Sequence, residues 1–243
     1  MISVNKKELD GIIFKISDYK DSATKLTILT KDGFTSLIVR GGKKYPKLNS
    51  LNQLFTYCHF VSTNDKLLNT LTDGEVINNY TNIKVDSIKS LVALSIFEYI
   101  QRFHEGISEF NQLYQFVLKI MDLLNNTNYP NVLLMIFEIK FWYLIGIQPR
   151  FDHCSKCNDE GVFFSVSQGG VVCGSHLTED SVSMILSKTI YLLYYIKPNL
   201  IDEKFLSTFN DSFIDLEKII SDYYLYYFEF TNQNKKLLLS FIK

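Results

Sequence analysis

The sequence predicts an α+β protein in which a small closed β-barrel is followed by an all-α domain with an inserted zinc-ribbon-like module. Three observations predict this class. Apolar residues alternate with period two through residues 1–80, they recur with helical spacing through residues 81–243, and cysteine and histidine pairs lie within residues 150–177. The 243 residues are 47% hydrophobic, so the chain can bury a core as one large domain or two small ones.

Composition excludes several classes of protein. Only 21% of the residues are charged, and glycine and proline are few, so neither a disordered nor a collagen-like chain fits. The apolar run over residues 132–137 is far shorter than a bilayer span, and the first residues lack the apolar stretch of a signal peptide. We therefore expect a cytoplasmic protein with reduced cysteines, in which a cysteine cluster indicates a metal or catalytic site rather than disulfides.

Charge is distributed unevenly along the chain. The net charge is −1, but residues 1–50 contain 10 Lys and Arg against 5 Asp and Glu, whereas residues 81–243 contain 14 against 18. The basic N-terminal part predicts a polyanionic partner for that part. Because 22 of the cations are Lys and only 3 are Arg, contacts with nucleic acid should go to phosphates, with little sequence preference.

The first 80 residues contain five strand-like segments, which suits a small antiparallel barrel. The second and third segments flank Lys31-Asp32-Gly33, a strong signal for a tight hairpin. The five segments span residues 12–16, 24–30, 34–39, 54–62 and 67–80.

A basic loop follows the third segment. It combines two glycines with four cations and one aromatic residue, which are Arg40, Lys43, Lys44, Lys47 and Tyr45. The glycines let backbone approach a phosphate chain, the cations attract it, and the tyrosine offers a stacking face for a base. A solvated turn is an equally good interpretation of the loop taken alone, because Lys-rich loops are common. The loop is not a nucleotide-binding P-loop, since it lacks the spaced first glycine and the Ser or Thr.

Helical periodicity begins near residue 83. The spacing of apolar residues predicts helices over residues 88–103, 110–121, 128–146, 178–196, 209–230 and 235–243. The third of these is apolar nearly all round, as expected of a central buried helix, and Gly146 and Pro149 end it. Thr178 or Ser181 is the predicted cap of the fourth. The change of period near residue 80 is the predicted boundary between a domain over 1–80 and a helical domain over 81–243.

The strongest local signal consists of two short pairs of candidate metal ligands. Cys154 and Cys157 are followed after fifteen residues by Cys173 and His176, a spacing that matches a closed tetrahedral Cys3His zinc site. The apolar residues between the pairs, with Gly169-Gly170 at the tip, predict a small hairpin. Four matched ligands leave no open position on the ion, which favours a structural role.

Other interpretations of this segment carry less weight. The hairpin could have lost its metal, and His153 could replace His176 or lie beside the site. A thioredoxin-type redox motif would open a helix after a strand, but here the first cysteine pair follows the end of a helix. A deaminase centre is not expected, because its His-x-Glu element is missing from the sequence.

The remaining candidate residues point to structure rather than catalysis. The tyrosines over residues 223–227 could form a platform for a peptide or a base, but packing in a helical core is the better interpretation. Cys58 and His59 are neighbours on a predicted strand, so they face opposite sides and cannot act as nucleophile and base. The sequence offers no catalytic centre, and we expect a protein that is not an enzyme.

Two segments carry a resemblance to a known family. The opening residues 8–44, ELDGIIFKISDYKDSATKLTILTKDGFTSLIVRGGKK, and residues 137–176, FEIKFWYLIGIQPRFDHCSKCNDEGVFFSVSQGGVVCGSH, resemble those of the bacterial RecO family of recombination mediators. The second segment is the more specific, because a buried helix, the first cysteine pair, the hairpin and the second pair follow in order. The resemblance runs over nearly the whole chain.

The resemblance implies both a fold and a function. RecO proteins have an N-terminal OB-fold and a helical domain with an inserted zinc finger. They bind single- and double-stranded DNA, anneal complementary strands, and work with RecR without hydrolysing nucleotides. They also recognise the C-terminal tail of the single-strand binding protein and help to load RecA in DNA repair and recombination.

The resemblance also implies site residues. The zinc ligands would be Cys154, Cys157, Cys173 and His176, where many relatives have cysteine in the last position. The DNA contacts would come from the basic loop, together with Lys15, Lys20 and Lys25 on nearby strands. The near-neutral net charge departs from what a strong DNA binder would have.

A second function from a different class stays open on the sequence. The chain could be a zinc-containing scaffold that binds partner proteins through the barrel and the acidic helical part, with only incidental DNA contact. A metalloenzyme is a distant third possibility.

Overall fold

A computed structural model of the chain describes residues 6–20, 23–40, 51–63, 69–210 and 213–241. These residues form two compact units. The barrel unit comprises the described residues among 1–87 together with residues 109–125. The helical unit comprises residues 88–108 and the described residues among 126–243. Within these ranges, no helix is both long and apolar enough to cross a bilayer.

The barrel unit contains a five-stranded antiparallel sheet with the strand order β3-β2-β1-β4-β5. Its strands are β1 Lys6–Tyr19, β2 Ala23–Thr30, β3 Gly33–Val39, β4 Tyr57–Thr63 and β5 Leu71–Asn78. The sheet closes where Ile38 forms a parallel bridge with Thr70, and the Ile38 N–H donates to the Asn69 carbonyl oxygen at 2.9 Å. A closed five-stranded barrel of this kind has the OB-fold architecture. The predicted fold class is therefore confirmed for this part of the chain.

Alternating side chains fill the barrel from inside. Ile13, Leu26 and Phe60 are fully buried in one apolar cluster with their neighbours on all five strands. Cys58 also faces this core, where burial raises the pKa of its thiol to about 12, while the side chain of His59 is 32% exposed. The prediction that Cys58 and His59 face opposite sides is confirmed.

The strands follow the predicted segments with two main differences. β1 begins at Lys6, and a bulge between Ile13 and Lys15 lets both Ile13 and Ile16 pack on the core. β4 begins at Tyr57 instead of residue 54, because the chain turns at Phe55, whose φ is +67°. The hairpin at Lys31-Asp32-Gly33 is confirmed, with Gly33 at a φ of +112° opposite Thr30.

Eight α-helices occur among the described residues. They are α1 Thr81–Val85, α2 Ser87–Phe103, α3 Phe110–Asn126, α4 Pro130–Leu144, α5 Met184–Tyr195, α6 Glu203–Ser207, α7 Phe213–Phe228 and α8 Gln233–Ser240. The predicted helices over 88–103 and 110–121 correspond to α2 and α3. The predicted central helix corresponds to α4, of whose residues ten are buried, and Gly146 follows it at a φ of +78°.

Helix α3 belongs to the barrel unit although it begins 32 positions after the end of β5. Phe110 packs on Phe34, which in turn packs on Phe14, with ring centroids 6.3 Å and 4.8 Å apart. The Tyr80 hydroxyl donates to Asp122 at 2.9 Å. The compact unit thus crosses the predicted domain boundary at residue 80, which itself stays a prediction.

Three predicted helix starts are wrong. The fourth predicted helix begins at the cap Ser183 rather than at Thr178 or Ser181, because residues 181–182 pair with the hairpin instead, where the Val182 N–H donates to the Phe164 carbonyl oxygen at 2.8 Å. Phe209 lies in a turn after α6, outside α7. The last described helix begins at Gln233, two residues before Lys235, and Asn232 is its cap.

The predicted hairpin between the ligand pairs is present. It consists of β6 Phe163–Ser165 and β7 Gly170–Val172, with Gly169 at a φ of +63° in the turn. The backbone of Arg150 extends this pairing, since its N–H donates to the Gly169 carbonyl oxygen and its own carbonyl accepts from Val171, each at 2.9 Å. A Cβ on Gly170 would lie 2.3 Å from the Arg150 carbonyl oxygen, so this close approach requires glycine.

Candidate metal centre and nucleic-acid interface

The two predicted ligand pairs come together in the helical unit. The ligand atoms of Cys154, Cys157, Cys173 and His176 all lie within 4.8 Å of one another. The Sγ atoms of Cys157 and Cys173 are 3.8 Å apart, and Nδ1 of His176 lies 3.2 Å from the sulfur of Cys173 and 3.7 Å from that of Cys154. A tetrahedral ion with metal–sulfur bonds of about 2.3 Å has edges of about 3.8 Å between sulfurs. The four side chains are therefore spaced for one tetrahedral ion.

Short backbone turns position the ligands. The Cys154 N–H donates to the Asp159 carbonyl oxygen at 2.9 Å, which closes the first knuckle, and the Lys156 N–H reaches the sulfur of Cys154 at 3.5 Å. The His176 N–H donates to the Cys173 carbonyl oxygen at 3.0 Å, which closes the second. The Ser155 N–H donates to the Val171 carbonyl oxygen at 2.8 Å and so ties the first knuckle to β7.

The thiols differ in acidity. Burial opposes ionisation of Cys154, but hydrogen bonds from the backbone of Lys156, Cys173 and Cys157 lower its pKa to about 6. A backbone hydrogen bond at Asp159 favours ionisation of Cys157, but burial and the neighbouring sulfurs outweigh it and raise that pKa to about 12. Thiolates this close repel one another, so a cation among them is needed before all three ionise.

The donor set suits a metal that prefers nitrogen and sulfur. Three thiolates and one imidazole are the ligands of structural zinc sites, and with four protein ligands a tetrahedral ion has no open position. His153, the alternative ligand, lies outside the cluster, and its Nδ1 faces Asp152 Oδ2 at 2.9 Å. The cluster can hold one metal ion.

Four predicted DNA-contact residues lie in the described part of the barrel unit. Lys15, Lys20 and Arg40 are exposed and Lys25 is half-buried. The strand register places them at one end of the sheet, because Lys25 pairs with Ser17 and Arg40 follows Val39, the partner of Thr24. We name these four cations the cationic end of the barrel.

The other predicted contacts, Lys43, Lys44, Tyr45 and Lys47, lie outside the described residues. In the sequence they follow Arg40 after Gly41 and Gly42.

The outer surface carries a different set of groups at the start of β1. The register aligns Asp10, His59 and Glu75 in one row across three strands. His59 Nδ1 lies 2.7 Å from Asp10 Oδ1, and Glu8 is 3.9 Å from Nε2. The hydrogen bond with Asp10 raises the pKa of His59, and the charges of Asp10, Glu8 and Glu75 add to this. Sequence reasoning missed this row because it depends on strand pairing.

A buried ionic network in the helical unit was also missed. Lys235 of α8 lies 2.9 Å from Glu138 of α4 and 3.3 Å from Glu217 of α7, and its Nζ donates to Ser221 at 3.1 Å. The Tyr99 hydroxyl donates to Glu138 as well. Burial raises the pKa of Glu138, and Lys235 opposes that shift. The only sequence signal was a glutamate in the middle of a helix that is apolar nearly all round.

The tyrosine cluster divides into buried and exposed members. Tyr223 and Tyr224 are buried, and their hydroxyls donate to the carbonyl oxygens of Ile147 and Glu138 at 3.0 and 2.9 Å. The interpretation as core packing is confirmed for these two residues. Tyr226 and Tyr227 lie on the surface.

Comparison with known proteins gives matches over most of the chain. Residues 3–80 match the family model for the N-terminal part of recombination protein O, and residues 85–236 match the model for its C-terminal part. Among curated proteins, the chain is similar to the DNA repair protein RecO of Bacillus cereus (strain AH187), Bacillus anthracis and Bacillus thuringiensis subsp. konkukian (strain 97-27). Each is 29% identical over 192 residues, which is 77% of both chains.

Proposed function

The chain belongs to the RecO family of DNA repair proteins, and from this premise we propose that it is a DNA-binding recombination mediator. It binds single- and double-stranded DNA without sequence preference and anneals complementary single strands. Together with RecR and the single-strand binding protein it helps to load RecA, and it does so in the cytoplasm without catalysing a reaction. The observation that supports the proposal is a closed five-stranded barrel with four cations, Lys15, Lys20, Lys25 and Arg40, toward one end of its sheet.

The chemistry of the cationic end supports sequence-neutral binding. Lysine contacts phosphate as a point charge and releases condensed counterions, so binding depends on backbone charge and on salt rather than on base identity. Lys43, Lys44 and Lys47 extend the cationic set in the adjoining segment, and Tyr45 offers a stacking surface for a base. The acidic row around Asp10 and Glu75 disfavours phosphate elsewhere on the same barrel.

The protein partners belong to the proposal on the strength of family membership. RecR and the C-terminal tail of the single-strand binding protein are the direct partners, and RecA is an indirect one. A barrel that holds one strand through its phosphates leaves the bases accessible for pairing with a second strand, which is what annealing needs.

The metal is zinc, with a structural role, held by Cys154, Cys157, Cys173 and His176. When bound it would cross-link the two knuckles and supply the charge that lets the thiols ionise together. The residues around it keep the ligands in place, since the first knuckle is tied to β7 and Arg150 continues the hairpin pairing.

Fluorescence anisotropy with a labelled oligo-dT strand, measured over a salt series, tests the DNA contacts. We compare the wild type with Lys25→Glu/Arg40→Glu and with Lys43→Glu/Lys44→Glu. Each pair of charge reversals should weaken DNA binding at least tenfold at low salt. Because two phosphate contacts are removed, the slope of the logarithm of the binding constant against the logarithm of the salt concentration should become shallower by about 1.4.

The matched control is Lys204→Glu/Lys236→Glu. Both lysines are exposed in the helical unit, and the change in net charge is the same. Equal loss of affinity in this control, or wild-type affinity in both barrel variants, contradicts DNA binding at the cationic end. A folded wild type with no affinity for DNA at low salt favours instead the scaffold that works through protein partners.

A further inference from the structure

A groove in the helical unit takes no part in the proposed function. It has a volume of about 800 Å³ and runs along one face of α7. Asp215, Ile219, Asp222 and Tyr226 recur on that face at helical spacing. The opposite wall is the segment from Thr178 to Val182, between the second ligand pair and α5. At a rise of about 1.5 Å per residue, the α7 wall is about 16 Å long. This length accommodates about five residues of extended polypeptide or three turns of a helix.

Carboxylates stand on both walls. Asp215 and Asp222 lie on the α7 side and Glu179 and Asp180 on the other, while Lys218 is the one cation among the described lining residues. Glu179, Asp215 and Asp222 are exposed. The excess of negative charge repels nucleic acid and acidic polypeptides and attracts a cationic ligand.

Asp180 is fixed in place by the hairpin turn. Its carboxylate accepts hydrogen bonds from the Ser167 backbone N–H at 2.5 Å, from the Ser167 hydroxyl at 2.9 Å and from the Ser165 hydroxyl at 3.1 Å. The negative charge therefore has a set position on the groove wall, which lowers the cost of ordering the site when a ligand arrives.

The groove also has an apolar floor. Val166 and Ile219 are buried beneath it, Val182 and Leu186 are half-buried, and Leu225 is 51% and Tyr226 58% exposed at its rim. Exposed leucine and tyrosine beside a concave surface are typical of a docking site. A free metal ion or a small inorganic cation would leave this apolar surface uncovered.

We propose that the groove binds a segment of a partner polypeptide that carries Lys or Arg on both sides of a bulky apolar side chain. The apolar side chain rests on Val166 and Ile219, and the flanking cations face Asp180 and Asp222 across the groove. Acidic walls with an apolar floor complement such a segment in charge and in hydrophobicity. The inference goes beyond DNA binding, because it assigns a protein contact to a surface that disfavours DNA.

The experiment is selection of a phage-displayed library of random 12-residue peptides on the full-length wild-type protein. Glu179→Lys/Asp222→Lys, with one reversal on each wall, serves for counter-selection. The expected outcome is a consensus with basic residues on both sides of a leucine, phenylalanine or tryptophan. A consensus without flanking basic residues overturns the proposal. The proposal is also overturned if every selected peptide binds the counter-selection variant as well as it binds the wild type.

A selected peptide is then labelled and titrated with the protein. Glu179→Lys/Asp222→Lys should weaken its binding about tenfold or more, and Leu225→Ser should weaken it by several-fold, since both the charge and the apolar contact are needed. The control for charge is Glu105→Lys/Glu109→Lys, and the control for exposed apolar surface is Ile185→Ser, a residue that is 78% exposed outside the groove. Loss of equal size in the controls means nonspecific attraction and overturns the proposal. Oligo-dT binding by the same variants is measured in parallel. A loss of peptide binding can then be distinguished from a loss of DNA binding, so the groove proposal and the DNA proposal are tested separately.

Discussion

Glu138 shows how one charged residue can organise a core. It lies in the apolar helix α4 with no exposed surface, and its partner Lys235 is 97 positions away in the chain. A buried ion pair adds little stability relative to apolar residues of similar size, but loss of one partner leaves the other charge uncompensated. Lys235 therefore ties the last helix to the centre of the helical unit.

Lys235→Met should destabilise the protein by about 3–5 kcal/mol, because Glu138 and Glu217 then lose their buried counter-charge. The double variant Glu138→Gln/Lys235→Met should recover a large part of this loss, since it removes the stranded charge as well. Urea unfolding followed by far-UV circular dichroism measures both values. A double variant no more stable than the single one would show that the lysine acts through packing alone.

His59 is a residue whose protonation should depend on a neighbour in the adjacent strand. The hydrogen bond with Asp10 raises its pKa in the folded state, so its contribution to stability is full below its unfolded value of 6.5 and is lost as pH rises through the folded pKa. We expect the urea midpoint of the wild type to fall as pH rises above 6.5. Asp10→Asn should lower the pKa of His59 in an NMR titration of the ring. An unchanged histidine titration in that variant contradicts the assignment to Asp10.

At the scale of elements, the hairpin of β6 and β7 is too small to be stable alone. Each strand has three residues, and a two-stranded hairpin of this length needs further support. That support comes from the backbone of Arg150, from Val182 and from the ligand cluster. The spacing of the four ligands was visible in the sequence because both pairs are local. The contacts of Arg150 and Val182 were not visible, because they depend on where the flanking segments run.

Removal of the metal should therefore loosen this element first. Cys154→Ser should abolish binding of one zinc ion per chain, measured by inductively coupled plasma mass spectrometry, and lower the melting temperature by several degrees. His153→Gln is the matched control, because His153 is adjacent in sequence but outside the cluster. Zinc content and melting temperature equal to wild type in Cys154→Ser would exclude a structural metal at this cluster.

Hydrogen exchange distinguishes local from global effects of the same change. Amides of β6 and β7 should exchange faster in Cys154→Ser, whereas those of β1 and β2 in the barrel unit should keep their protection. Equal acceleration in both units would mean that the metal stabilises the whole chain.

At the scale of the whole molecule, local patterns predicted more than long-range pairings did. The five strands, the helices α2 to α4 and the metal cluster follow from periodicity and spacing within short segments. The acidic row on the barrel, the buried network around Glu138 and the acidic groove join residues from distant segments. Because each of these depends on tertiary register, a single sequence could indicate its members but not that they meet.

The near balance of charge has a consequence for the molecule in solution. With a net charge of −1 and an isoelectric point of about 6.4, the chain has little overall repulsion near neutral pH. We expect light scattering to show the lowest solubility near pH 6.4 and higher solubility at pH 8. Solubility that is flat across this range would mean that the uneven distribution of charge, rather than its sum, governs self-association.

The position of α3 has a further consequence during synthesis of the protein. The five strands leave the ribosome well before residues 110–126, so the nascent barrel first exposes the face of Phe14 and Phe34 that Phe110 later contacts. A chain that stops at residue 80 would keep this aromatic face exposed permanently, and such a fragment should aggregate. A fragment that extends past residue 126 carries its own cover for this face. Translation must therefore pass the apparent end of the first domain by about 45 residues before that domain is complete.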